Sequence, residues 1–281
     1  MQTFAEFLRD AAKYGDLGKA ALRWQANQDQ CDESVLIQRM HDRLAVMRES
    51  AKAGLSPTLR SVSGMVGGQA AKMAVPEEIN RFGLLGKAGA YAMSIAEYNA
   101  CMGKIVAAPT AGSCGILPGA LLAAQEQDGF TDDELVMALF TAAGVGRIIA
   151  LQATISGAEG GCQAECGAAA GMAAAALVQL YGGTPEMCAH ACAFSLMNML
   201  GLVCDPVHGL VEVPCVYRNV GGVSQALCAA QMALSGVRSP IPCDEVILAM
   251  KDVGDALPAS LRETGEGGCA ACRSVCSKKD R

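Results

Sequence analysis

Apolar residues recur every three to four positions through most of this chain, whereas alternating apolar and polar runs are scarce. Two such stretches lie near the amino terminus, with apolar positions at Phe4, Phe7, Leu8 and Ala11, and then at Val35, Ile37, Met40, Leu44 and Met47. This spacing places the apolar side chains on one face of a helix. The pattern therefore predicts a mostly α fold.

Breaks in the helical pattern suggest three regions. Residues 54–57, Gly-Leu-Ser-Pro, interrupt the early helices, because Gly and Pro rarely continue a helix. We expect an N-terminal helical arm over residues 1–55, packed on the rest of the chain or on a partner. A catalytic region would span 56–268, without an internal repeat or a clear linker. A flexible, Cys-containing C-terminal tail would span 269–281.

Further helix signals fall within residues 56–268. Thr131 and Glu134 form a capping-box pattern, and Thr184 precedes a Pro at a first helical position. We expect an irregular segment at 201–219, and helices at 89–105, from 131 towards 149, at 162–180, from 184 and from 223. The helix at 162–180 is almost entirely apolar, so we expect it to be buried on most sides.

Composition narrows the class of protein. Hydrophobic residues make up 52% of the 281 residues, which is enough for a sizeable core. The net charge is −6 and no Lys/Arg-rich run precedes the last few residues, so we do not expect nucleic-acid binding. The most apolar run, 166–180, is too short to span a bilayer, and no signal peptide is visible. We expect a cytoplasmic protein that does not enter the membrane.

The chain has 14 cysteines, and three of them sit beside Gly or Pro. Cys162 follows a Gly pair, Cys204 precedes Asp205-Pro206, and Cys215 follows Pro214. We expect these neighbours to keep the thiols off regular helices, so that all three can point to one place. Three such thiolates suit a soft metal or an iron–sulfur cluster. Scattered core cysteines are the alternative interpretation.

Other cysteines have a simpler interpretation. Cys188 and Cys192 lie four residues apart on one helical face, but no second pair completes a zinc site, so we expect a core face. Near Cys114 no histidine or group of basic residues would lower the thiol pKa, so we expect a packed thiol.

Two loops of small and hydroxyl residues could bind a substrate. Their backbone N–H and O–H groups suit an anion such as a carboxylate, although ordinary turns have the same composition. Beside a cluster with one open, Lewis-acidic iron, such loops would favour loss of water from a hydroxy acid. The candidate binding residues are Ser61, Ser63, Gly64, Gly67, Gly68, Thr110, Gly112 and Ser113.

Five motifs, in this order, resemble those of the iron–sulfur L-serine dehydratases (L-serine ammonia-lyases). They are S-V-S-G-M-V-G-G, A-P-T-A-G-S-C-G-I-L-P-G, S-G-A-E-G-G-C-Q-A-E, C-D-P-V-H-G-L-V-E-V-P-C and R-E-T-G-E-G-G. The resemblance covers roughly residues 61–268, which is nearly all of that family's α subunit or catalytic domain.

This resemblance implies a [4Fe-4S] cluster held by Cys162, Cys204 and Cys215. It implies a single compact helical catalytic domain whose Gly-rich loops converge on the cluster and bind L-serine. The implied lyase removes water and then ammonia from L-serine to give pyruvate, with the open iron as Lewis acid and without pyridoxal phosphate. We also expect the activity to be oxygen-labile.

The chain departs from single-chain members of that family in two respects. Some of those end on a cysteine that caps the open iron, whereas five residues follow Cys276, the leading candidate here. They also carry a smaller domain before the catalytic one, so this chain resembles an α subunit that works with a separate β subunit in an oligomer. The general base is unassigned. His41 and His190 lack a motif, His208 is expected at the rim, and the β subunit could supply the base.

The sequence is also compatible with three other functions. A cluster-dependent L-cysteine desulfidase would use similar ligands, and a non-catalytic iron–sulfur redox or metal-sensing subunit would explain the cysteine-rich tail. A helical interaction protein with core cysteines would contain no iron. Turnover of different amino acids, and iron analysis, separate these possibilities.

Overall fold

Helix signals in the sequence account for most of the architecture. In the computed structural model, which describes residues 1–276, about 70% of the chain is helical. The prediction of a mostly α, single compact helical domain is confirmed. Within the described residues there is no β-strand, and an isolated bridge pairs Cys204 with Arg262. The helices are α1 (Phe4–Tyr14), α2 (Leu17–Asp29), α3 (Glu33–Ala53), α4 (Ala70–Met73), α5 (Pro76–Phe82), α6 (Leu84–Ala100), α7 (Ile116–Asp128), α8 (Asp132–Gln152), α9 (Gly157–Gly160), α10 (Ala168–Leu180), α11 (Pro185–Met199), α12 (Cys215–Leu234), α13 (Cys243–Ala256) and α14 (Arg273–Cys276).

Side-chain caps fix several helix starts. Thr131 and Glu134 form the predicted capping box at the start of α8. The Thr184 hydroxyl accepts a hydrogen bond from the N–H of Met187, and Pro185 occupies the first position of α11. Both starts were predicted, because a cap satisfies N–H groups that have no partner within the helix.

The centre of the fold is α10, which packs against α7, α8, α11 and α12. Most of its residues are Ala or Gly, and those up to Val178 are buried, as predicted for the apolar helix. Small side chains let its neighbours approach closely: a Cβ on Gly171 would lie 3.1 Å from the Cys192 sulfur. The predicted helix begins with a π-helical segment, Gln163–Gly167, rather than an α-helical turn.

The first three helices pack on the rest of the chain. Phe4 and Phe7 are buried in the main core, and a Cβ on Gly144 of α8 would lie 2.5 Å from the Phe7 ring. The N–H groups of Phe4 and Ala5 donate to the Asp244 carboxylate of α13, at 2.7 and 3.1 Å. Residues 1–53 therefore contribute to the same core as the central helices.

Two expected boundaries differ from the structure. The helix expected from residue 223 begins at Cys215, so residues 201–219 are not irregular throughout. We expected Pro214 to keep Cys215 off a regular helix. Pro214 instead stands just before the first helical residue, a position that Pro tolerates, and Gly222 lets Ile116 approach. The helix expected at 89–105 spans Leu84–Ala100 instead.

One helix is long and apolar enough to cross a membrane. It is α8, and 67% of its most apolar window is buried within the protein. Core helices of soluble proteins share this composition.

The tail carries short helical turns. Gly268–Ala271 forms a 3₁₀ turn and Arg273–Cys276 a single α-helical turn. The last five residues of the expected tail, 277–281, lie outside the described residues.

If the first helices belong to the core, Phe7→Ala should destabilise the protein by about 3–5 kcal/mol, because it removes a buried aromatic side chain and leaves a cavity. Phe82 is 61% exposed, so Phe82→Ala is a matched control with an expected change of about 0.5 kcal/mol or less. Urea unfolding of both variants measures the difference. Equal losses would show that Phe7 does not contribute to a shared core.

Candidate active site

The three cysteines of interest lie in one buried region. Cys162, Cys204 and Cys215 are 2%, 3% and 8% exposed. Cys162 precedes the π-helical segment, Cys204 lies in the extended segment before α12, and Cys215 is the first residue of α12. The expectation that all three avoid regular helices is therefore wrong for Cys215. Its position at a helix start still leaves its side chain close to the other two.

The three thiols influence one another's pKa values. Burial, and then the charge of Cys162, raise the pKa of Cys204 above its usual range. The same two causes raise the pKa of Cys215 to about 12. Glu165 adds to both effects. The surroundings of Cys204 and Cys215 thus disfavour negative sulfur, and a bound cation would reverse this preference.

A fourth cysteine lies against Cys162. The sulfur of Cys166 is 3.3 Å from that of Cys162, because the π-helical segment separates the two residues by about one turn. The hydrogen bond between them lowers the pKa of Cys162 and raises that of Cys166. The sequence analysis did not single out Cys166, which lies inside an apolar run.

An arginine balances the charge of this region. Arg218 lies 2.7 Å from Asp205, and it donates to the Val203 carbonyl at 2.7 Å. The ion pair is close but poorly directed, since this Asp205 oxygen accepts no well-angled hydrogen bond. Burial opposes the charge of Arg218, but Cys162 and Asp205 together raise its pKa. In return, Arg218 helps to lower the pKa of Cys162.

The first candidate substrate loop is tied to the segment between two of the cysteines. The hydroxyls of Ser61 and Ser63 both donate to the carboxylate of Glu212, the former at 2.6 Å, and the N–H of Ser63 donates at 3.1 Å. Glu212 is 2% exposed and lies three residues before Cys215. The loop therefore sits beside the cysteines, and its two hydroxyls are engaged by this carboxylate.

The glycines of this loop shape its turns. Gly64, Gly67 and Gly68 have φ values of 74°, 116° and 74°, which favour Gly. The N–H of Gly67 donates to buried Glu97 at 2.8 Å, as do those of Gln69 and Ala70 at 2.9 Å. We expected the N–H groups of this loop to bind a substrate anion, but these three donate to the carboxylate of Glu97 instead.

The second candidate loop is held by Asn219. The Asn219 side chain accepts from the N–H of Gly115 at 2.9 Å, and donates to the carbonyls of Gly112 at 2.8 Å and Cys215 at 2.9 Å. Within the loop, the hydroxyls of Thr110 and Ser113 lie 3.1 Å apart. This one buried side chain therefore fixes the loop to the helix turn that carries Cys215.

Glu165 lies between the second loop and the cysteines. A Cβ on Gly112 would be 3.3 Å from its carboxylate, and a Cβ on Gly157 would be 2.7 Å from the carboxylate and 2.9 Å from the Cys204 sulfur. Only small residues fit at these two positions. Burial raises the pKa of Glu165, and a hydrogen bond with Thr110 partly offsets the rise.

The other singled-out residues lie elsewhere or have structural roles. Cys114 is fully buried, with a pKa raised to about 12 by burial, and is a packed thiol as predicted. Cys188 and Cys192 face the core as predicted. His208 is exposed, with φ 57°. The remaining contacts are those of His41 with Asp133, of His190 with the Ser239 N–H, and of Cys276 with the Ala270 carbonyl.

Sequence reasoning missed the side chains that hold the site together. Glu97, Asp205, Glu212 and Asn219 are all nearly fully buried. Glu97, Asp205 and Glu212 each stand between apolar residues, whereas Asn219 follows Arg218, and buried polar groups need partners. An isolated polar residue in an apolar stretch could have indicated such a buried group. Its partner could not be identified, because the partners lie far away in sequence. Glu212 also stood within the quoted V-E-V-P-C motif.

The donor set is compatible with an iron–sulfur cluster. Among residues 1–276, no group of three or more His, Cys, Asp or Glu side chains is arranged to hold a single metal ion. A cluster is larger than one ion, so its ligands stand further apart. The region offers three buried thiols, a nearby arginine, and two glycine positions that leave space beside Glu165 and Cys204. Thiolates are the usual ligands of such clusters.

Comparison with known proteins gives a consistent result. The family model described as serine dehydratase alpha chain matches residues 11–270. A probable L-serine dehydratase, alpha chain, of Bacillus subtilis is 50% identical over 242 residues, which cover 84% of this chain and 79% of the relative. The L-serine dehydratase, alpha chain, of Peptoniphilus asaccharolyticus is 53% identical over 190 residues, covering 68% and 65%. L-serine dehydratase 1 of Escherichia coli is 42% identical over 182 residues, which cover 64% of this chain but only 40% of that protein.

Asn219→Ala should destabilise the protein by about 1–3 kcal/mol, because it leaves buried groups of the Gly112–Gly115 loop without partners. The control is Asn198→Ala on the exposed face of α11, which should change stability by about 0.5 kcal/mol or less. Urea unfolding compares the two. Indistinguishable results would mean that Asn219 does not hold the loop.

Proposed function

Because the chain belongs to the serine dehydratase alpha chain family, we propose that it is the catalytic subunit of an L-serine dehydratase. The reaction removes water and then ammonia from L-serine and gives pyruvate. One observation supports this most directly. Two loops rich in hydroxyl groups and backbone N–H groups are tied, through Glu212 and Asn219, to the buried region that contains three cysteines.

We propose that Cys162, Cys204 and Cys215 hold a [4Fe-4S] cluster. When bound, the cluster supplies a Lewis-acidic iron, which favours the departure of hydroxide from the substrate. The chain's own contribution is to bury the thiols and to place Arg218 beside Cys162. This arginine offsets part of the negative charge that three thiolates would bring into a buried site.

The second loop is the better candidate for holding the substrate carboxylate. In the first loop, Glu212 accepts from Ser61 and Ser63, and Glu97 accepts from Gly67. We assign the first loop to shaping the site through Ser61, Ser63, Gly64, Gly67 and Gly68.

In the second loop, the hydroxyls of Thr110 and Ser113 contact each other. This pair could exchange that contact for a ligand oxygen. Hydroxyl donors fixed by a rigid loop orient a carboxylate without reorganising when it binds. Gly112 keeps the loop close to Glu165, so a bound amino acid would lie between the loop and the cysteines.

We propose that activity requires a second chain, which we call the β subunit. The match to the Escherichia coli relative covers only 40% of that protein, so most of it has no counterpart in the matched stretch. Two relatives that match 84% and 68% of this chain are named alpha chains. We expect the two subunits to form an oligomer in the cytoplasm, where reducing conditions suit the 14 free cysteines.

Cys204→Ala and Cys215→Ala should each lose most of the bound iron, with a fall of more than about tenfold in cluster affinity, because each removes a ligand. Cys188→Ala is the matched control, since Cys188 is likewise buried but lies on α11, where its neighbours include Cys192 and Glu186, and it should keep its iron. Iron and sulfide analysis after anaerobic purification measures this. If Cys204→Ala and Cys215→Ala kept their iron and Cys188→Ala lost it, the cluster would have other ligands than those proposed.

Anaerobic assays should show pyruvate formation from L-serine when this chain is produced together with its β subunit. The chain alone should turn over L-serine at least about tenfold more slowly. Without the second chain the reacting groups would be less well placed, and a misplacement of about 1 Å is enough to slow such a reaction. L-threonine and L-cysteine are assayed in parallel. Release of sulfide from L-cysteine without pyruvate from L-serine would indicate a desulfidase. A cluster spectrum unchanged by any amino acid would indicate a non-catalytic subunit.

A further inference from the structure

A cleft of about 550 Å³ lies between the first helices and α8, apart from the cysteine region. Its floor is apolar and includes the buried residues Leu36, Met47, Phe140 and Met172. This volume lies within the range of sites that bind small molecules, which are usually apolar cavities with a few well-placed polar groups.

The polar groups of this cleft are mainly arginines. Arg39, Arg43 and Arg147 line it, and Asp29 is the acidic residue among the lining residues. Ion pairs with carboxylates in residues 1–276 engage other arginines, namely Arg23, Arg48, Arg81 and Arg218. The cleft therefore carries excess positive charge in a chain whose net charge is −6.

Arg147 gives the strongest indication of a ligand. Its guanidinium lies 4.1 Å from the centre of the Trp24 ring, an arrangement that holds the side chain in place. Its Nε is buried, and no described residue accepts a hydrogen bond from it. A buried donor without a partner is costly, and an anion in the cleft would satisfy it.

The cleft also touches the second candidate substrate loop. Ala107, Ala108 and Pro109 form part of its wall, and Thr110 follows directly. A ligand in the cleft would therefore contact the segment that leads into this loop.

From these observations, we propose that the cleft binds a small organic acid that combines an anionic head with an apolar body. The carboxylate pairs with Arg147 and with Arg39 or Arg43, and the apolar body covers the floor. Binding in this cleft does not depend on the function proposed above.

Octanoate is a suitable probe, and Trp24 reports on its binding because it is the single tryptophan of the chain. Titration of the full chain with octanoate, below its micelle-forming concentration, should change Trp24 fluorescence with saturation. Octylamine and 1-octanol have the same apolar body without the anion, and each should bind at least about tenfold more weakly. Equal binding of all three would overturn the proposal.

Substitutions of the arginines that line the cleft test where the carboxylate of octanoate binds. Arg147→Gln, and the double substitution Arg39→Gln with Arg43→Gln on the exposed face of α3, should each weaken octanoate binding about tenfold or more in calorimetry. Arg147→Lys keeps the charge and should recover part of the affinity. Arg238→Gln, an exposed arginine outside the cleft, should bind normally. Unchanged affinity in both charge-removing variants would overturn the proposal.

Two further arms test other occupants. Vesicles of an anionic phospholipid should leave Trp24 fluorescence unchanged, because the cleft admits one small molecule, and a response to vesicles alone would overturn the proposal.

The octanoate titration is repeated on the complex with the β subunit. A retained response supports a small-molecule site, whereas its loss would show that the second chain covers the cleft.

Discussion

Buried polar side chains need partners, and this requirement organises the candidate site. Glu212 is enclosed between the first serine loop and the segment that connects Cys204 to Cys215. Without the hydroxyls of Ser61 and Ser63, its carboxylate would lose hydrogen bonds that water cannot replace at a buried position. Asn219 acts in the same way on the second loop. Two side chains thus join parts of the chain that lie 100 to 150 residues apart.

The close packing of small residues makes this arrangement possible. Since α10 consists mostly of Ala and Gly, its neighbours approach closely, as Cys192 of α11 does at Gly171. Glycines then provide space where polar groups meet: Gly112 lies against Glu165, and Gly157 lies against both Glu165 and Cys204. Cys162 and Cys215 lie at the starts of helical segments, and Cys204 is paired with Arg262, so each thiol is held by ordered backbone, as a site that must keep its geometry requires.

Helices and their caps could be predicted from local sequence. The periodic apolar positions, the Thr131 box and the Thr184 cap all act within a few residues, and each was confirmed. The start of α12 was predicted eight residues too late, because the contact between Gly222 and Ile116 is not encoded locally. For the same reason Glu97, Asp205 and Glu212 were missed, since their partners come from distant segments. The neighbours of the three cysteines suggested a shared site, and their assignment as ligands stays a prediction.

The contact between α1 and Asp244 bears on the order in which the protein can be assembled in the cell. The backbone of Phe4 is made well before its carboxylate partner, which lies 240 residues later in the chain. Phe7 can pack on α8 once that helix has been made, but the N–H groups of Phe4 and Ala5 find their carboxylate partner only after α13 has been synthesised. The contact between α1 and α13 therefore forms late, and chaperones that shield apolar helices would act chiefly on the earlier segment.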